Sequence, residues 1–235
     1  MRVLELLAFA PMSAPQLASA LHAQPRTVRR VLARLVEEEY VTSRDGRRRL
    51  YEPTMRLVAL AGQIVESSSL GRIARPYVEL LHVRTGATAH LVVPSYQSAL
   101  CLLHASSEVA GVHPHLRELV PAHCTAGGKA LLAWRDRWRE SMLAAGLKRY
   151  TSRTTVDAEV LRRTLERVRE DGHATEDAEY QPDARAIAVP VIVSGEAVAA
   201  LGTSGRRLEF QAVLPALLTT ARELAADLEQ ERARG

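Results

Sequence analysis

The chain has 235 residues, of which 47% are hydrophobic and 25% charged, a globular balance that excludes disordered and collagen-like classes. Two cysteines, Cys101 and Cys124, are too few for a disulfide framework or a zinc site, and no apolar run approaches the roughly 18 residues of a membrane span. The net charge of +4 is concentrated: between Gln24 and Tyr51 eight arginines face four acidic residues, and the remainder is neutral, as a localised contact with a polyanion requires.

In chain order, residues 3–9 read as a short amphipathic helix. The start has the outline of a signal peptide, but Glu5 interrupts the apolar run, so a cleaved leader is not expected. Pro11 ends this helix. Ser13-Ala14-Pro15-Gln16 has the form of a capping box with Pro in the first turn, opening a second helix that stops near His22. A third helix spans residues 25–38. There Val28, Val31, Leu32 and Leu35 fall at i, i+3, i+4 and i+7, a core-facing stripe, while Arg26, Thr27, Arg29, Arg30 and Arg34 lie mainly off it.

Residues 40–44 alternate like a strand. Asp45-Gly46 is a favoured two-residue hairpin turn, and Arg47-Arg48-Arg49-Leu50-Tyr51 returns as a second strand. Helix, helix-turn-helix and basic hairpin make residues 1–53 a winged helix-turn-helix. Beyond Pro53, Leu57, Leu60, Ala61 and Ile64 share a helical face that suits either a second subunit or plain packing. Ser67-Ser68-Ser69 and Gly71 suggest a hinge, so residues 54–71 are read as a linker helix and residues 72–235 as a second domain.

That second domain reads as mixed α+β. Helices are expected over residues 75–84, 156–170 (closed by Asp171-Gly172) and 212–232, with another emerging from a small-residue loop over residues 125–134. Strands are expected over residues 89–93 and 99–104, and as a pair, 186–193 and 197–203, around Ser194-Gly195-Glu196.

The basic segment carries the strongest chemistry. A helix such as 25–38 fits the major groove, and arginine forks reach guanine or phosphate in bidentate fashion, with Arg47 and Arg48 placed to grip the duplex backbone. The alternative is a solvated charged face. The loop His123-Cys124-Thr125-Ala126-Gly127-Gly128-Lys129 precedes a helix whose first N–H groups attract anions. Equally, Gly127 and Gly128 could serve tight packing. Cys124 beside His123 has no third orienting group and reads as a buried thiol rather than a nucleophile. His113 and His115 lack the further ligands of a metal site. Glu176-Asp177-Ala178-Glu179 reads as an acidic loop, solvated or at a pocket rim. No catalytic set, cofactor or metal is expected.

The chain resembles the IclR family of bacterial regulators from Leu4 to about Arg207. The likeness rests on Gln16-Leu17-Ala18, Thr27-Val28-Arg29-Arg30-Val31-Leu32 and Asp45-Gly46-Arg47. It continues through Ala74-Arg75-Pro76, Thr85-Gly86-Ala87-Thr88-Ala89-His90-Leu91, Gly128-Lys129-Ala130-Leu131-Leu132-Ala133, Tyr180-Gln181-Pro182, Ile187-Ala188-Val189-Pro190-Val191, Ala199-Ala200-Leu201 and Ser204-Gly205.

The resemblance implies a GAF-like domain, an antiparallel sheet flanked by helices, that binds a small organic acid or aromatic effector. It implies homodimers, or dimers of dimers, on palindromic double-stranded DNA in the cytoplasm, with repression expected before activation. Carried over by position, Thr125, Ala126 and Gly127 line one wall of the effector site. Glu176, Ala184, Ala186, Gly202 and Ser204 line the other. The chain departs from the family at His22, where a turn glycine is usual, and at Ala87, Glu176, Ala178, Asp183 and Ala186. The contrasting reading is a small-molecule sensor or enzyme whose N-terminal domain serves assembly only.

Overall fold

The computed structural model describes residues 2–44, 46, 48–96, 98–107 and 119–234. The chain divides into two compact units, residues 1–67 and 68–235. The first contains α1 (Arg2–Phe9), α2 (Ala14–Ala20), α3 (Pro25–Glu37), β1 (Val41–Arg44), β2 (Leu50–Pro53) and α4 (Arg56–Ser67). Gln16 Oε1 accepts from the Ser13 N–H at 2.9 Å and from its hydroxyl at 2.7 Å, tying down the start of α2.

The turn from α2 to α3 is a Schellman closure. The Ala23 N–H donates to Ala18 O at 3.0 Å and the His22 N–H to Ser19 O at 3.2 Å, with His22 at φ 48°. A side chain in this left-handed region costs about 1 kcal/mol, which glycine would avoid.

Leu7, Leu17, Val28, Leu32 and Val41 form the core of this unit. Val31 departs from the expected stripe. Val28 and Leu32 turn inward, whereas Val31 lies at the border of the buried arc and is exposed.

The hairpin also departs from expectation. Arg44 pairs with Leu50, and the expected Asp45-Gly46 turn falls in the connection between them and includes Asp45, outside the described residues. Arg48 and Arg49 stand in that connection rather than in a strand; Asp45 and Arg47 lie outside the described residues. Burial sets this register: Tyr51 packs against the core and exchanges backbone bonds with Met12 at 3.1 and 2.9 Å, and the Arg44–Glu52 ion pair at 2.6 Å agrees with it. On α4, Val65 is buried while Val58, Leu60 and Ile64 are exposed.

The second unit contains α5 (Ser69–Thr85), β3 (Thr88–Ser95), β4 (Ser98–Ala105), β5 (Leu119–Pro121), α6 (Ala126–Leu132), α7 (Asp136–Ala145) and α8 (Ala158–Asp171). After these come β6 (Ala174–Asp177), β7 (Arg185–Val193), β8 (Glu196–Gly205) and α9 (Phe210–Arg234). The sheet is antiparallel in the order β5-β4-β3-β8-β7-β6. Helices α5 and α9 pack on each other and on β3, β4 and β7. Helix α6 packs on β6, β7, β8 and β3, with α7 and α8 behind it.

Local signals explain the ends. Ser68 caps α5 by accepting from the Gly71 N–H, Asp157 caps α8 by accepting from the N–H groups of Glu159 and Val160, and Gly172 closes α8 at φ 72°. Small residues on the strands, Ala186, Ala188 and Ala200 among them, let α6 approach the sheet closely.

Candidate functional site

Helix α3 carries a dense basic face. Arg26, Arg29 and Arg30 recur at i, i+3 and i+4, opposite the buried Val28 and Leu32, and all three are exposed. Among the described residues none has an acidic partner within ion-pair distance. Thr27 is exposed beside them. Placing arginines in the opening turns of a helix with no acidic residue there opposes the helix dipole, a small stability cost that suits an external anion.

The hairpin connection adds to this face. Arg29, Arg48 and Arg49 line one concavity with residues 13–16 and Tyr51. Arg34 is engaged differently: its guanidinium meets Glu37 at 2.8 Å and Glu38 at 3.0 Å. Those contacts are solvent-exposed and weak, but they direct Arg34 toward the far end of α3.

The second unit holds a cavity of about 580 Å³ of empty space, including the part open to solvent, between α6 and the sheet. Strand register builds its floor. Glu176 of β6, Ala186 of β7, Ser204 of β8 and Thr88 of β3 are paired in succession, and so are Ala188, Gly202, His90 and His104 one pleat along. Val92 and Cys101 continue the lining, and Thr125, Ala126 and Gly127 close it from above. Of the residues expected here, Thr125, Ala126, Gly127, Glu176, Ala184, Ala186 and Ser204 share this lining. Gly202 does not. It underlies His90, whose Nε2 would stand 2.7 Å from any Cβ at that position.

The glycines before and within α6 have separable roles. A Cβ on Gly128 would sit 2.3 Å from backbone atoms of Ala122, so Gly128 serves close packing. A Cβ on Gly127 would meet only the Val92 side chain, at 3.0 Å, on the cavity wall.

Of the two readings of the acidic run, solvated or at a pocket rim, Glu176 fits the second, although it lies on a strand rather than in a loop. It stands on β6 and is only 5% exposed. Burial pushes its carboxyl up to about 7, against the opposing pull of N–H donors from Tyr180 and Ala126 and of the Lys129 charge. Lys129 is itself buried and bonded to Glu179 at 2.5 Å. Thr151 and Thr154 hold the carbonyl of Glu179 at 3.2 and 2.7 Å, and Tyr180 packs edge-on against Tyr150, so the segment beyond Glu176 is firmly placed.

His90 is held down to about 4 by burial and by the neighbouring His104, which keeps it neutral. Cys124 is fully buried and its thiol is pushed up, chiefly by burial, which disfavours the nucleophilic thiolate. Burial likewise lowers His123, whose Nε2 lies 2.9 Å from Lys148 O. His113 and His115 lie outside the described residues, among which no group of three or more candidate metal ligands occurs.

Residues 62–230 match the family described as "Bacterial transcriptional regulator IclR C-terminal". The chain belongs to the IclR family. The Pca regulon regulatory protein of Pseudomonas putida is 33% identical over 212 residues, covering 86% of this chain and 72% of that protein. An IclR regulator from Alicyclobacillus acidocaldarius superposes with a TM-score of 0.81 at 26% identity, covering 96% of this chain and 95% of the other. An IclR homologue from Microbacterium hydrocarbonoxydans, solved in complex with 4-hydroxybenzoate, has a TM-score of 0.76 at 24% identity, with 94% and 92% covered.

This IclR-family chain is therefore a transcriptional regulator whose α+β second unit is the part matched by the family's C-terminal description. Position-by-position reading missed His90, Val92, Cys101, Val120, Tyr180 and Gln181, which also line the cavity. A signal for His90 was present. A histidine within the run Thr88-Ala89-His90-Leu91-Val92, otherwise fit for a strand buried on both faces, needs a polar reason to be there.

Proposed function

We propose that the exposed arginine face of α3, with the hairpin connection, reads operator DNA, and that the cavity under α6 binds the small effector that controls it. The carrying observation is the coincidence of Arg26, Arg29 and Arg30 on the one face of α3 turned away from its core. Arg47, named from the sequence, lies outside the described residues. The mainly apolar lining with a few polar groups suits a small organic molecule, and a fold relative was solved in complex with 4-hydroxybenzoate. The cavity's polar groups serve recognition rather than catalysis. Action on chromosomal DNA places the regulator in the cytoplasm. Among the described residues no helix is long and apolar enough to cross a membrane.

Fluorescence anisotropy with the duplex upstream of the protein's own gene tests this reading. Binding should exceed that to a scrambled duplex by at least about 10³-fold. Equal affinity for the two would refute sequence-specific regulation.

The apolar stripe on α4 supports a homodimer on a palindromic site. Leu60 and Ile64 are 40% and 60% exposed, one helical turn apart, which is costly for a lone helix in water. Two copies would present two α3 helices to half-sites about one helical turn, or a multiple, apart. Ile64→Glu should shift the protein toward monomer in sedimentation velocity. A dimer of unchanged strength would remove α4 from the interface.

A further inference from the structure

The effector cavity combines three features that bear on its ligand. First, among the described residues no arginine or lysine lines it. The nearby buried cation, Lys129, is committed to Glu179 at 2.5 Å. Second, the acid in the wall, Glu176, is buried and faces the same space, so an incoming carboxylate would meet a like charge in a poorly solvated site. Third, two buried polar atoms await partners. Ser204 Oγ and His90 Nδ1 make no hydrogen bond among the described residues, although both side chains are at least nine-tenths buried and line the cavity. Thr125 is not free in the same way, because its hydroxyl already donates to Pro121 O at 2.8 Å.

We propose that the effector binds as an uncharged molecule bearing both a hydrogen-bond donor and an acceptor, such as a phenolic carboxamide, and that a carboxylate anion binds only by bringing a proton into the site. This rests on the effector reading of the cavity given above. The apolar body of the ligand packs against Val92, Val120, Ala184 and Ala186, and its polar end satisfies Ser204 and His90.

The charged and titratable groups around Glu176 are Lys129 of α6, Glu179 and Tyr180 beyond β6, Cys124 before α6 and His90 of β3. His90 and Cys124 stay neutral near pH 7, and Lys129 and Glu179 offset each other, which leaves Glu176 to set the sign. With the carboxyl titrating at about 7, a carboxylate ligand takes up one proton above that pH. Its affinity then falls about tenfold per pH unit, while that of an uncharged ligand changes little.

Calorimetric titration of the full-length protein with 4-hydroxybenzamide and 4-hydroxybenzoate at pH 6 and pH 8 tests this. The amide should bind at both pH values and exceed the acid by at least about tenfold at pH 8. Glu176→Gln, which keeps the shape and removes the charge, should raise the affinity for the acid at pH 8 by about the same factor. An acid that binds more tightly than the amide at pH 8, or an acid affinity unmoved by Glu176→Gln, overturns the proposal while leaving the cavity as the effector site. Binding that survives Gly127→Trp overturns the cavity reading beneath it. Failure of both compounds to bind at either pH also overturns the proposal.

Discussion

Gly128→Ala is expected to cost more than about 3 kcal/mol and to lower the thermal midpoint of the second unit by roughly 10 °C. The added methyl would lie 2.3 Å from both the Cα and the carbonyl oxygen of Ala122. Both are backbone atoms of a fully buried residue between β5 and α6, so no side-chain rotation relieves the clash. Helix α6 would have to lift off the sheet, parting Ala126, Ala130 and Leu131 from Ala186, Ala188 and Ala200. Gly127→Ala is the control one residue away. Its methyl meets Val92 Cγ2 at 3.0 Å and Val92 Cβ at 3.1 Å, contacts that a shift of a few tenths of an ångström relieves at about 1 kcal/mol. Differential scanning calorimetry of the two variants compares them directly. Equal losses would mean that α6 does not owe its seat to the glycine at 128.

Glu176→Gln is expected to stabilise the protein at every pH above about 4.5, with the full effect reached near pH 7. The folded carboxyl titrates at about 7 against an ordinary value of 4.5. Below about 4.5 both folded and unfolded chains hold the proton, and the contribution to stability is whole. As pH rises, the unfolded chain releases the proton first, so stability falls until the folded carboxyl titrates near 7. The loss approaches about 3 kcal/mol by pH 8. Glutamine stays neutral throughout and can still accept from Tyr180 N–H, now at 3.2 Å from Oε1. The variant should therefore match the wild type near pH 4 and melt roughly 10 °C higher at pH 8. A variant less stable at pH 8 would show that the carboxylate is needed as an anion, for example to hold Lys129.

What was legible in the sequence followed periodicity and punctuation. Val28 and Leu32 at helical spacing, Asp171-Gly172 after an amphipathic run and Ser194-Gly195-Glu196 between apolar strands each point to one local structure. Short edge elements were not legible. The three residues of β5 and four of β6 have no period of their own and become strands by pairing with β4 and β7. Arg48 and Arg49, expected in the returning strand, stand before it because Tyr51, packed against the core, fixes the register from the other end.

The cavity shows the same division. Its wall positions at Thr125, Ala126 and Gly127 sit in a recognisable small-residue loop before α6, whereas His90 enters only through cross-strand pairing with Gly202. The environment that raises the Glu176 carboxyl to about 7 arises from burial between α6 and the sheet, which a loop-like acidic run does not announce.

The salt dependence of operator binding tests the central claim most directly, because counterion release counts phosphates neutralised by the arginine face. For wild type the plot of log affinity against log salt should be steep. With Arg26, Arg29 and Arg30 all changed to alanine, and the fold intact by circular dichroism, it should become shallower by about 0.9 for each phosphate that is no longer neutralised. Arg34→Ala, whose guanidinium answers to Glu37 and Glu38, should leave the slope near wild type. A folded triple variant that keeps both the slope and the affinity would contradict the assignment of α3 as the DNA-reading helix.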